Sequence, residues 1–215
     1  FTTLNPIPYM TVSFKEYTIR EYTNGTKEWR FNGELHREDG PAYERGGHKE
    51  WYLNGKLHRE DGPAQEYIDG HNEWYLNGKL HREDGPAIEH DRGTKEWYLN
   101  GELHREDGPA VEYANGSKLW YLNGKQHREG GPAVEEANGH KVWWLNGKRH
   151  REDGPAVEYL DGNKEWYLNG VLLDEDQHCT QTQSCAEKDY QIHNWPSCDG
   201  KVITIDGKQY KLAEV

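Results

Sequence analysis

Methionine occurs once and phenylalanine three times in 215 residues. No apolar stretch approaches the roughly 18 residues that a membrane-crossing helix needs. Hydrophobic residues amount to only 33%, too few for a thick two-layer core. Cations are short as well: 26 Lys and Arg stand against 38 Asp and Glu, for a formal net charge of -12. Phosphate backbones and anionic membrane surfaces are both held through clustered Lys and Arg. The deficit therefore counts against nucleic acid and acidic lipid, and leaves proteins, cationic surfaces and neutral sugars. The residues that open the sequence at Phe1 do not read as a secretory leader.

Large rings and glycine are plentiful instead: nine Trp, fourteen Tyr and 24 Gly. That is too aromatic for a disordered chain, although the mean hydropathy is -1.17. The mixture suits a thin sheet with many turns, in which rings supply most of the buried area.

Periodicity organises the chain. The heptad His-Arg-Glu-Asp-Gly-Pro-Ala starts at His36, His58, His81, His104 and His150, and a copy with Gly130 in place of Asp starts at His127. One spacing is 22 residues and the other four are 23. A second block, typified by Lys95 to Gly101, repeats its indole at Trp29, Trp51, Trp74, Trp97, Trp120, Trp143 and Trp166. The repeat array spans Tyr17 to Leu173, with an extension at residues 1–16 and a separate segment at 174–215.

Asn-Gly is the favoured pair for a type I′ hairpin turn, and it recurs from Asn54-Gly55 to Asn169-Gly170. Asp69-Gly70, Asn115-Gly116, Asn138-Gly139 and Asp161-Gly162 mark a second turn. Asp-Gly-Pro cannot be regular sheet. Spacing leaves two readings open: it reverses the chain, giving three strands per unit, or kinks it, giving two. Around Asn54-Gly55 the turn predicts that Leu53 faces Lys56, Tyr52 faces Leu57, Trp51 faces His58 and Glu50 faces Arg59. Alternation then puts Trp51, Leu53 and His58 on one face, with Glu50, Tyr52, Leu57 and Arg59 on the other. A ladder of aligned Trp rings is the expected core. The fold class is thus all-β, an elongated antiparallel β-hairpin array built as a single-layer or solenoid-like sheet, with a small C-terminal β module.

Trp-Tyr-Leu-Asn-Gly-Lys blocks at a period of 23 resemble the bacterial and viral variants of the membrane occupation and recognition nexus (MORN) repeat. The resemblance covers Tyr17 to Leu173. It implies a hairpin scaffold with no catalytic residues. The chain departs from conventional units, which carry Gly-x-Gly where this one has the heptad. Trp-Tyr-Leu-Asn is also weakly similar to the aromatic cell-wall and choline-binding repeats, which hold ligands between adjacent hairpins.

His, Arg, Glu and Asp side by side invite a catalytic or metal reading. Six near-identical copies are a poor way to build one active site, and Gly130 shows that the Asp is dispensable in one unit. The last hairpin has Leu173 where His is expected. A residue that contacts the following repeat would vanish there, so the heptad reads as structural, with Asp or Glu holding its turn. One position past each Ala the residues run Tyr43, Gln65, Ile88, Val111, Val134 and Val157, and three positions past it they vary more; variation on a constant frame makes binding surfaces. Tyr67, His90, Tyr113 and Tyr159 are the binding-face candidates.

Beyond Asp174 the pattern breaks. Cys179, Cys185 and Cys198, with His178 and His193, could form one disulfide or a mixed Cys/His zinc site, or stay reduced and unligated. Val202-Ile203-Thr204-Ile205, Asp206-Gly207 and the residues to Leu212 read as a terminal hairpin. The expected function is a non-enzymatic repeat scaffold with a protein partner and no cofactor. Alternatives are a carbohydrate-binding module using rings between units, and a small metal-dependent activity in the C-terminal segment.

Overall fold

A computed structural model describes residues 16–182 and the strands Val202–Ile205 and Lys208–Lys211. The protein is all-β over the array, and a 16-stranded antiparallel sheet runs through every unit. Each central unit contributes four short strands, against the two or three allowed by spacing. In one unit they are Gln65–Glu66, Asn72–Glu73, Tyr75–Leu76 and Lys79–Leu80. The first two form a hairpin within the large sheet, and the last two form a separate hairpin beside it.

The indole position is where the chain passes from one hairpin to the other. Trp74 donates its N–H to the Ala87 carbonyl of the next heptad, and its own carbonyl accepts from His81 N–H. The side hairpins are also joined along the array: Gly78 N–H donates to Leu57 O and Arg59 N–H to Tyr75 O. With strands about 4.8 Å apart, two strands per unit advance the array by about 10 Å.

Turn chemistry follows the residues. Asn54 and Gly55 have φ of 51° and 71°, as a type I′ turn requires, and six other Asn of these turns also lie at positive φ. The second turn is of another kind. Gly70 N–H donates to Tyr67 O, Gly70 alone has positive φ, and Asp69 Oδ1 accepts from His71 N–H. That is a type I turn closed by a glycine bulge. The 22-residue spacing is explained here. Between Arg45 and His48 the chain uses Gly46-Gly47, both at positive φ, so a two-residue turn replaces the bulged one.

The predicted register holds for Tyr52↔Leu57 and Leu53↔Lys56, and His58 N–H meets Trp51 O. It fails one step further. Glu50 belongs to the large sheet, opposite Tyr43 and Gln65, while Arg59 turns back over the Trp51 ring at 4.0 Å. Chain divergence at the indole breaks the alternation, so Arg59 shares the Trp face and no Glu50–Arg59 pair exists.

The core also differs from a Trp ladder. The repeat indoles are half-buried, and none stacks on another among the described residues. Full burial belongs to the heptad alanines Ala42, Ala64, Ala87, Ala110, Ala133 and Ala156, joined by Val111, Val134, Val142 and Val157. Each of these alanines is fully covered where the heptad loop returns to the sheet. Val111, Val134 and Val157 continue the file that begins at Tyr43 and Gln65, so much of the expected variable face is interior.

Each heptad His does reach the following unit. Asn54, Asn77, Asn100, Asn123, Asn146 and Asn169 donate their backbone N–H to Nδ1 of His36, His58, His81, His104, His127 and His150 at 3.0–3.2 Å. The imidazole thus holds the next type I′ turn, which accounts for its loss at Leu173. His104→Ala strips the Asn123 turn of this acceptor. Its expected cost is about 1–3 kcal/mol, read as a lower urea midpoint. Unchanged stability would refute the link.

At the C-terminal end the chain leaves the sheet as the helix Glu175–Thr182, which the turn-rich composition did not predict. Asp174 Oδ1 accepts from Gln177 N–H while Gln177 Oε1 accepts from Asp174 N–H, a reciprocal capping box. The strands Val202–Ile205 and Lys208–Lys211 pair as the expected hairpin. The extension at residues 1–16 falls outside the described residues except for Glu16, whose carbonyl accepts from Asn32 N–H.

Candidate binding surfaces

Two faces carry the polar chemistry. On the first, the heptad arginines Arg37, Arg59, Arg82, Arg105, Arg128 and Arg151 lie over the preceding indoles at 3.8–4.2 Å. Arg105 shows the pattern. Its Nε donates to Asp107 at 2.9 Å, and its Nη1 to the Pro109 carbonyl at 3.2 Å and to Glu112 at 3.0 Å. Gly108 lies directly beneath it: a Cβ there would sit 2.9 Å from the guanidinium carbon, so the arginine would have to shift. The heptad Asp therefore holds the turn chiefly through Arg, and in the Gly130 unit Arg128 keeps the Pro132 and Glu135 bonds.

That hydrogen bond from Arg holds Asp39, Asp61, Asp84, Asp107 and Asp153 below the usual carboxylate range. A depressed folded-state value contributes stability above the unfolded pKa and loses it as pH falls through the folded one. The contribution of these five carboxylates is expected to be lost as pH falls through and below the ordinary Asp range. Carboxyl-carbon NMR should find all five titrating low, and a normal titration at any of them would contradict the clamp.

The heptad Glu is left outside. Glu38, Glu60, Glu83, Glu106, Glu129 and Glu152 are 75–86% exposed in their side chains, each 3.6–4.0 Å from Nε2 of its own heptad His. They rim open grooves between consecutive heptads. One groove of 530 Å³ runs between Arg82-Glu83-Asp84 and Arg105-Glu106-Asp107 over Trp97 and Leu99, and neighbouring grooves enclose 750, 840 and 500 Å³.

The second face carries rings and carboxylates. His48 Nε2 bonds Glu50, His71 Nε2 bonds Glu73, and His90 Nε2 bonds Glu96, at 2.6–3.0 Å. Tyr75 and Tyr98 donate their hydroxyls to Glu73 and Glu96. Burial, reinforced by Glu96, pushes the Tyr98 hydroxyl up to about 12, and Tyr52 and Tyr75 shift in the same direction. These phenols stay protonated donors. In the next units Leu119 and Val142 replace the Glu, and the network gives way to an apolar cluster around Val134, Val142 and Val157.

Three of the four predicted binding-face residues are engaged within the chain. Tyr67 lies between His48 at 4.2 Å and His71 at 5.0 Å. His90 meets His71 at 4.8 Å. Tyr159 stacks on His140 at 5.1 Å and donates to Glu165. Tyr113 differs: it is 44% exposed and lines an open 510 Å³ pocket with Asn115, Ser117, Leu119, Glu136, Ala137 and Asn138. The last six were not foreseen as site residues. The signal was present at the residue after each bulged turn, where Thr94 and Ser117 interrupt the histidines.

The C-terminal zinc candidates do not fit as ligands where they are described. Cys179 is disulfide-bonded. His178 is 1% exposed with Nε2 held 2.6 Å from the Arg151 carbonyl. Cys185, Cys198 and His193 lie outside the described residues. Among the described residues no helix is long and apolar enough to cross a membrane. No protein-family model matches the chain, and no curated protein does.

Proposed function

We propose that this chain is a non-enzymatic repeat scaffold that engages a basic protein partner along its heptad face. The observation that supports this is the division of labour within the heptad. Its His and Arg are consumed by contacts inside the array, whereas its Glu projects from six successive units beside open grooves. Carboxylates repeated about every 10 Å on a frame of charge -12 favour a partner with spaced cations. The hairpin array fits the scaffold role that the MORN resemblance implies.

Glycan binding through rings between units is the second reading. Six of the repeat indoles already carry an arginine, which leaves Tyr113 as its support.

Cross-linking capture from the source cells would compare the full chain with a variant in which the six exposed heptad Glu are Gln. The expected result is a basic protein cross-linked near the heptads and lost, by at least about tenfold, from the neutral variant. Equal capture by both chains, or binding on a glycan array that the variant retains, would overturn the proposal.

A further inference from the structure

The place occupied by Tyr67, Tyr113 and Tyr159 recurs in every unit and is tyrosine in every second one; Tyr67 and Tyr159 have histidine rings against them, whereas Tyr113 does not. Where histidines cover the other two, Thr94 and Ser117 turn their hydroxyls onto the backbone. Ala114 N–H donates to Thr94 Oγ1 at 3.3 Å, and Ala137 N–H to Ser117 Oγ at 3.0 Å. An open pocket of 510 Å³ lies beside the Tyr113 ring and Ser117. In the adjoining unit the ring position is taken by Glu136. Its carboxylate accepts from Asn138 Nδ2 at 2.9 Å and lies 3.5 Å from His140 Nδ1. Asn138 Oδ1 accepts from His140 N–H and Asn115 Oδ1 from Ser117 N–H, so both carboxamides on the rim are oriented.

We propose that the open Tyr113–Glu136 pocket is an anchoring site for an arginine side chain of a basic partner. An open phenol face and a fixed carboxylate on one pocket wall suit a planar cation, which stacks on the ring and donates in its own plane to the carboxylate. The array uses the same chemistry internally: Arg105 covers Trp97 while donating to Asp107 and Glu112. At Tyr113 the ring and the acid are present and the guanidinium must come from outside. Lysine offers a more strongly hydrated point charge with no planar fork, so it binds less well. Leu119 and Ala137 supply apolar walls for the arginine methylenes.

The site rests on the scaffold reading and names its anchor. The full chain, labelled at tyrosine and at glutamate, would be titrated with acetyl-Gly-Arg-Gly-amide, its Lys counterpart, and methyl glucoside. The expected result is a saturable shift of the Tyr113 ring and Glu136 carboxyl signals with the arginine peptide, at least about tenfold weaker with lysine and absent with the sugar. Y113A and E136Q should each lose about tenfold or more, while Y113F keeps the shift because the ring face is what matters. Both positions are partly exposed, so the rest of the spectrum reports that each variant is folded. A shift that persists in E136Q, an equal response to the sugar, or no shift at all would overturn the site. If partner capture still depends on the heptad Glu after such a result, the scaffold reading stands and only the anchor fails. Loss of both removes the scaffold reading too.

Discussion

Arg105→Ala is expected to cost about 3 kcal/mol, the largest loss from any single side chain on the heptad face. The guanidinium is the hub of its unit. It covers Trp97 at 4.1 Å, fixes Asp107, and satisfies the Pro109 carbonyl and Glu112 of the next strand. Stacking on a half-desolvated indole contributes about 1 kcal/mol. Each charge-assisted hydrogen bond adds roughly 1.5 kcal/mol or more where water is partly excluded, and exposure of Asp107 discounts that one. Removal also uncovers Gly108, over which the guanidinium lies. Lysine should rescue little, since it cannot stack and donate to three groups together. Arg128→Ala should cost less, because Gly130 removes one partner beforehand. Denaturant unfolding of the three variants checks the order. Equal midpoints for Arg105→Ala and the unchanged chain would show that the stack is incidental.

How much of this was legible depends on whether the local rule and the long-range partner agree. The Asn-Gly turns, the registers next to them and the role of His were readable because a type I′ turn fixes its neighbours, and because His is lost where the next unit is lost. The indole crossover was not readable. Alternation assumes one continuous strand, whereas Trp51 hands the chain from one hairpin to another, so Glu50 and Arg59 acquire different partners. The alanine core was hidden for a related reason. Hydrophobic patterning points to the largest apolar surface, and here the most complete burial is at the smallest side chain. Tyr113 was named for its position alone. What sets it apart is the identity of Thr94 and Ser117, which lie 19 residues before it and four after it in sequence and act by what they fail to cover.

Cutting the chain before Asp174 should turn a discrete molecule into one that associates end to end. The last array strand, Val171–Leu173, is an edge of the 16-stranded sheet, and Val171 and Leu172 are already 60% and 59% exposed. The helix Glu175–Thr182 packs on this strand and on Lys164–Leu168. It places His178, 1% exposed, against the Arg151 carbonyl at 2.6 Å, where the Leu173 end of the array has no further heptad. One imidazole thus closes the array where six others join its units. Without the helix, that carbonyl and the strand edge meet solvent together, and an unpaired edge templates pairing with another copy. Sedimentation velocity should show the truncated chain as larger species than the full chain at equal concentration, increasing with concentration. His178→Ala, which keeps the helix but opens its buried contact, should lower stability by about 1–3 kcal/mol without the same degree of association. A truncated chain that sediments and unfolds like the full one would show that the array needs no cap at this end.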